Sequence, residues 1–285
     1  MSRILYYIVL IPLSLLPYRL LYFLSDVSFL FIYRIFKYRR AVVRDNLTKA
    51  FPTKSIDEIV DIEKKFYHHL CDLMVESIKN FTISEKEAKK RMKAINPEIC
   101  DKYLAQNRSI IFCGGHYNNW ELWAVSFPIT NSYHMAGIYK KINDSFLNKI
   151  MINTRGKFGL TLVETKEVTA EFFAKNRPIA TVFAFDQSPH KPARSYWVDF
   201  LGRKTASYFG PEKYAKNLDM PVIFGHIRKV KRGYYETWYE PLFEEPTDAE
   251  YGEITTKLNQ VLEQDIIEAP EYWLWSHKRW KHTKD

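Results

Sequence analysis

The chain has 285 residues, 46% of them hydrophobic and 16% aromatic, enough for one substantial domain with a real core plus a smaller appendage. Lys and Arg exceed Asp and Glu by 42 − 33 = 9, a balance that favours an anionic partner such as nucleic acid, an anionic membrane surface, an acidic protein or a phosphorylated substrate. Three cysteines, Cys71, Cys100 and Cys113, form no CxxC pair, which argues against a disulfide framework or a zinc site and suits a reducing compartment.

The first segment, residues 4–36, is rich in Leu, Ile, Tyr and Phe but is interrupted by Pro12, Pro17, Arg19 and Asp26. A clean transmembrane helix needs about 20 apolar residues. The pieces here, 4–16 and 20–33, are each too short for a confident span, and no small-residue cleavage site marks a signal peptide. Arg34, Lys37, Arg39, Arg40 and Arg44 come directly after. Apolar pieces beside a basic cluster predict a membrane anchor over residues 1–40, either spanning once with a kink or lying in the interface, with a catalytic domain over 41–285. The alternative is a core hairpin of a soluble domain.

Apolar residues at Ile59, Ile62, Phe66, Leu70, Leu73 and Ile78 recur near the helical period, predicting a helix over 57–81 with a cap at Thr53 or Ser55. His68 and His69 lie within it and read as a packed or surface pair. Beyond Pro97, β-rich runs at 109–113, 133–139, 160–163, 179–185, 196–200, 222–229 and 234–239 alternate with helical stretches at 120–126, 143–158, 168–175, 211–217 and 248–268. This alternation predicts an α/β fold: a mixed, mainly parallel central sheet flanked by helices, with antiparallel pairs from 196–239.

The stretch Gly114-Gly115-His116-Tyr117-Asn118-Asn119-Trp120-Glu121 sits between a predicted strand and a predicted helix. A histidine near neutrality can take a proton from a hydroxyl if a carboxylate fixes its tautomer and stabilises the imidazolium. Glu121 is the candidate carboxylate: five residues do not stack on one helix face, but a His in the turn and a Glu in the first helical turn can meet. The glycines would allow close backbone approach, and their amides would be placed to bind a developing oxyanion. A purely structural histidine at a strand end stays open at this point. The chain carries no GxSxG elbow, no HExxH and no Walker or dinucleotide glycine motif, so a serine hydrolase, a zinc hydrolase and a nucleotide enzyme are all disfavoured.

Four ordered blocks give the chain its resemblance: Gly115 to Glu121; Arg155 with Gly159; Asp186-Gln187-Ser188, followed by Phe200-Leu201-Gly202 and by the run 206–211; and Pro270-Glu271-Tyr272-Trp273-Leu274-Trp275-Ser276-His277-Lys278-Arg279-Trp280-Lys281. With these, the sequence resembles the lauroyl/myristoyl (late) acyltransferases of bacterial lipid A biosynthesis, within the lysophospholipid-acyltransferase-like enzymes. The resemblance implies a glycerolipid-acyltransferase-like fold and transfer of an acyl chain from a thioester on acyl carrier protein, or from acyl-CoA, to a hydroxyl of a lipid A precursor. It implies His116 as general base and Glu121 as its orienting partner, with no acyl-enzyme, no cofactor and no metal. Arg155 would contact phosphate or the donor, Asp186 would stabilise the site, and Gln187, Asn119 and Arg203 join them as substrate-binding candidates. The resemblance places the protein at the bacterial inner membrane with its catalytic domain on the cytoplasmic face, and not on nucleic acid. Other bacterial lipids, amino-acid lipids or glycolipids, remain alternative acceptors, and a non-catalytic basic membrane-binding protein is the alternative of another class.

The basic excess then gains a reading. Arg194, Arg203 and Lys204, with Lys229, Lys231 and Arg232, are candidates for an acidic carrier protein or a phosphorylated acceptor. The terminal run 277–282 interleaves bases with aromatics and reads as a headgroup interface, whereas Trp273 and Trp275 fit a core.

Overall fold

In the computed structural model, which describes residues 2–175 and 178–282 (of Arg194 the backbone only), the chain begins with two apolar helices, α1 (Ser2–Leu15) and α2 (Tyr18–Ile35). They meet at an angle of 119°. Pro17 explains the break: it disfavours a helical conformation at Leu16, and both residues are extended, with ψ of 147° and 146°. No single helix among the described residues is long and apolar enough to cross a membrane, although this bent pair passes by length and composition together.

Two further helices come next, α3 (Arg40–Ala50) and α4 (Ile56–Lys79), and the bent pair is fastened to α4. Ser55 caps α4 in a reciprocal capping box with Glu58. Ser25 donates to Asp72 at 2.8 Å, Tyr22 donates to Glu76 at 2.8 Å, and Phe29 stacks on His68 with ring centres 3.5 Å apart. Arg232 bridges Asp26 and Asp72, and Lys229 reaches Asp72 as well. Those two bases, read from the sequence as partner-binding, are therefore engaged in internal ion pairs. Arg40 and Arg44 likewise both pair with the fully buried Glu63. The outer face of the bent pair is apolar: Ile4, Tyr7, Ile8, Leu15, Phe23, Ile35 and Phe36 are 62–72% exposed.

After α5 (Glu85–Arg91) come β1 (Met92–Ala94), α6 (Asp101–Ala105), β2 (Ile110–Gly114), α7 (Trp120–Ser126), β3 (His134–Tyr139), α8 (Ser145–Arg155), β4 (Leu160–Glu164), α9 (Ala170–Lys175) and β5 (Ile179–Ala184). A hairpin of β6 (Tyr196–Phe200) and β7 (Arg203–Ser207) precedes α10 (Gly210–Leu218), β8 (Val222–Lys231), β9 (Tyr234–Phe243) and α11 (Glu253–Glu268). Seven strands form one sheet in the order β1-β9-β8-β2-β5-β3-β4, parallel throughout except for β8 against β9. The expected mainly parallel sheet is present, and so are the antiparallel pairs within 196–239. The β6–β7 pair, however, stands apart as its own two-stranded sheet, and β1 and β7 are additions to the expected strands.

Strand β2 is central because both of its faces are covered. Ile111 and Cys113 enter a cluster with residues of α4 and α11, while Ile110 and Phe112 enter another with Tyr103 and Phe127. All four strand residues are 0% exposed. Alternation of side chains along the strand makes an unbroken apolar run the signature of such a doubly covered strand. From β2 the chain goes to β3 on one side of the sheet order, and from β5 it goes on to β8 on the other. In open α/β sheets, such a divergence beyond neighbouring carboxyl ends is where ligand sites form.

Candidate active site

Strands β2 and β5 are parallel neighbours with Gly114 opposite Ala184. His116 and Asp186 each lie two residues further on, so the register brings them together although they are 70 residues apart. The Nδ1–H of His116 donates to Asp186 Oδ1 at 2.6 Å, and the His116 backbone N–H donates to Asp186 Oδ2 at 2.8 Å. A third donor, the indole Nε1–H of Trp273, meets Oδ2 at 2.8 Å. Asp186 is 2% exposed, whereas the His116 side chain keeps 19% exposure. Its Nε2 faces the Gln187 amide nitrogen at 3.2 Å. With Nδ1 carrying the proton, Nε2 holds the lone pair a general base needs.

Burial disfavours the imidazolium of His116, but the charge of Asp186 and its hydrogen bond more than offset this, and the pKa is raised; Glu121 adds to the rise and Arg155 opposes it. Burial also works against ionised Asp186. The charge and hydrogen bond of His116, with the bonds from Trp273 and the His116 backbone, reverse that and hold the carboxyl down to about 2. Both shifts favour a carboxylate poised to stabilise an imidazolium.

Glu121 is placed differently from the sequence-based expectation. It does not orient His116; its carboxylate is gripped by the Arg155 fork, Nη2 to Oε1 at 2.6 Å and Nε to Oε2 at 3.0 Å. The carboxylate that meets His116 Nδ1 is that of Asp186, expected from the sequence to be a substrate contact. Arg155 reaches Glu121 from the last turn of α8, where the chain turns into β4 through Gly159 at φ +112°. Both members of this bidentate pair are about a quarter exposed, so the pair remains open to an incoming ligand.

The loop from Gly115 to Asn119 is pinned on several sides. A Cβ on Gly115 would lie 2.7 Å from the side-chain tip of the buried Leu262 of α11, so a larger residue there would have to displace that leucine. The amide of His116 is committed to Asp186 and is no free oxyanion donor. Asn118 adopts φ +55°, donates its backbone N–H to Tyr272 O at 2.9 Å and its side-chain amide to Ile227 O at 3.0 Å. His69, its pKa lowered to about 3 by burial, contacts Asn118 O at 3.3 Å and is thus a packed, neutral residue. Asn119 is 0% exposed: its Oδ1 caps α7 through Leu122 N–H at 2.8 Å, and its amide donates to Glu76. It builds the loop and has no surface to offer a substrate. Arg203 lies on β7 with its guanidinium over the Trp280 ring at 4.3 Å, and Trp280 in turn contacts Trp273.

In the C-terminal segment, Trp273 and Trp275 are core, as expected; in the run that follows, Arg279 is only 2% exposed and Trp280 packs against the same cluster, while Lys278 and Lys281 are exposed. A Tyr117–Trp273 bridge laces this segment to the histidine loop. The bond from Trp273 to Asp186 has no signature in the sequence. Asp186 and His116 stand at the same offset beyond the observed β2 and β5, but the strands predicted to end at 113 and 185 put them three and one residues beyond, which hid their partnership.

A histidine held through Nδ1 by a buried carboxylate, with Nε2 at the carboxyl ends of parallel strands, is an arrangement that can accept a proton from a hydroxyl. The bacterial lipid A biosynthesis acyltransferase family matches residues 1–282, and the chain belongs to that family of acyltransferases. It is 22% identical over 268 residues to the lipid A biosynthesis palmitoleoyltransferase of Escherichia coli (strain K12), covering 93% of this chain and 86% of that protein. It is 24% identical over 270 residues to the lauroyltransferase of the same organism, with 93% and 87% covered. To the lipid A biosynthesis acyltransferase of Haemophilus influenzae it is 23% identical over 278 residues, with 97% and 86% covered.

Proposed function

We propose that the protein transfers a fatty acyl chain from a thioester, carried by acyl carrier protein or coenzyme A, to a hydroxyl of a lipid A precursor, with His116 as base and Asp186 as its orienting carboxylate. The hydroxyl displaces the Gln187 amide from Nε2 and gives up its proton there as its oxygen attacks the thioester carbonyl. The tetrahedral intermediate then expels the thiolate, which takes the proton back from Nε2, leaving an ester and a thiol. Transfer is direct. Cys113, the thiol three residues before His116, is fully buried and its pKa is pushed up by burial, which disfavours the thiolate needed for an acyl-enzyme. Arg155, anchored by Glu121, offers its remaining N–H groups to a phosphate of either substrate.

The observation that carries this reading is the Nδ1 bond to Asp186 with Nε2 left for the substrate. Acyl transfer from an acyl-carrier-protein thioester to a lipid A precursor tests it: His116→Ala, folded and membrane-associated, loses on the order of 10²–10⁴-fold in kcat, and undiminished transfer contradicts the mechanism. Mass spectrometry of lipids from a deletion strain names the acceptor; a missing acyl group on an amino-acid lipid or another glycolipid moves the assignment to that lipid.

Residues 1–40 serve in this reading as the membrane seat of the catalytic domain 41–285, on the cytoplasmic face of the inner membrane. The bend between α1 and α2, their ties to α4 and their outward apolar face support a pair lying in one leaflet, with Arg3, Arg19, Arg34 and Lys37 exposed toward anionic headgroups. Bromolipid quenching of a Phe23→Trp reporter then peaks for shallow bromines. Quenching that peaks at the bilayer centre, with residue 2 labelled from the opposite face, would establish a span instead.

A further inference from the structure

Asp186 accepts three hydrogen bonds, and their arrangement is unequal. Oδ1 serves the imidazole alone, while Oδ2 is held twice, by the His116 backbone N–H and by the indole of Trp273. Only one of the two groups on Oδ2 is a side chain. We propose that Trp273 is a positioning residue for the reaction: its indole N–H locks the Asp186 carboxylate in the orientation that presents Oδ1 to His116. The inference rests on the base-catalysed reading of the site and adds to it a residue outside both strand-end loops.

Three features favour this role over simple packing. First, the indole cannot swing away: Trp273 is 2% exposed, bridges to Tyr117, and meets Phe200 and Trp275 edge-on at 5.6 and 4.8 Å. Second, the bond is buried at both ends, where a lost partner leaves a carboxylate lone pair unsatisfied. Third, the donor is neutral. A cation at Oδ2 would draw the carboxylate away from the imidazole, whereas an indole N–H fixes geometry without titrating and without competing as a full charge.

Deleting the N–H has a signed consequence. Asp186 becomes more basic and stabilises the imidazolium more strongly, so the pKa of His116 rises while the ring is held less firmly. Turnover on the alkaline plateau falls, and the acidic limb of the rate profile moves to higher pH. The charged and titratable neighbours are Glu121 of α7, Arg155 of α8, and His277 and Arg279 of the C-terminal segment. His277, lowered to about 4 by burial, stays neutral across the assay range, so the moving limb belongs to the dyad.

The full-length enzyme is made with benzothienylalanine at position 273, which puts sulfur in place of the indole N–H at nearly the same shape, and separately as Trp273→Phe. The expected result for both is kcat lowered on the order of tenfold, KM within about twofold, and the acidic limb raised by about half a pH unit or more. An isostere with wild-type plateau and limb overturns the proposal. So does a lower kcat with an unmoved limb and a parallel loss of Tm, which is what a packing role produces. If the wild-type protein transfers no acyl group, the functional reading fails, and NMR still decides the positioning claim: the His116 Nδ1 proton signal shifts or broadens in the isostere if Trp273 positions Asp186, and is unchanged if it does not.

Discussion

Two histidines of this protein sit beside carboxylates at the sheet, and they have opposite uses. His226, on β8, is 7% exposed at its side chain; Nδ1 meets Asp265 of α11 at 2.9 Å and Nε2 meets Glu240 of β9 at 3.1 Å, while the ring stacks on Trp238 at an interplanar angle of 2°. Burial opposes its charge, but the two carboxylates prevail and its pKa is raised. Both nitrogens donate, so this imidazolium clamps strand to helix and has no lone pair to lend. His116 has one carboxylate, on Nδ1, and its Nε2 faces only the neutral amide of Gln187. The number of carboxylates, two at His226 and one at His116, separates the clamp from the proposed base.

That contrast can be broken at several points. Asp186→Asn removes the carboxylate that sets the His116 tautomer, and kcat falls on the order of 10²–10⁴-fold with the fold intact by circular dichroism. Because the pKa of His116 is raised, wild-type kcat/KM climbs with pH through a value above about 6.5. Glu121→Gln has a smaller effect, about tenfold in kcat, since it perturbs the field at His116 and frees Arg155 without touching Nδ1; the partly exposed pair contributes about 1 kcal/mol, read by denaturant unfolding. His226→Gln leaves transfer within about threefold of wild type. Its signature is in stability: a pKa raised in the folded state contributes most below the unfolded value of about 6.5 and is lost as pH rises through the folded value. The deficit of His226→Gln, about 1–3 kcal/mol, is therefore largest near pH 6 and shrinks toward alkaline pH.

The sequence made the parallel sheet legible because an α/β alternation writes itself as apolar runs such as 110–113 between helical stretches. It also marked His116, Arg155 and Asp186 as candidate site residues, which the structure places close together. It did not reveal who pairs with whom. Glu121 is near His116 in the chain, but pairing is decided by which strands are neighbours, and β5 inserts between β2 and β3 only after two crossovers. The three-residue β1 pairs at the sheet edge and has too few residues to show a period. Arg279 and Trp280 look amphipathic in one dimension because a buried Arg is unusual; the fold places Arg279 against the Ala206 carbonyl at 2.6 Å.

The most direct test of the dyad is the imidazole NMR spectrum of the ¹⁵N-histidine-labelled protein. The predicted result is a downfield proton on Nδ1 of His116 that disappears in Asp186→Asn and survives in Glu121→Gln. A signal that survives in Asp186→Asn and vanishes in Glu121→Gln would return the orienting role to Glu121 and contradict the dyad.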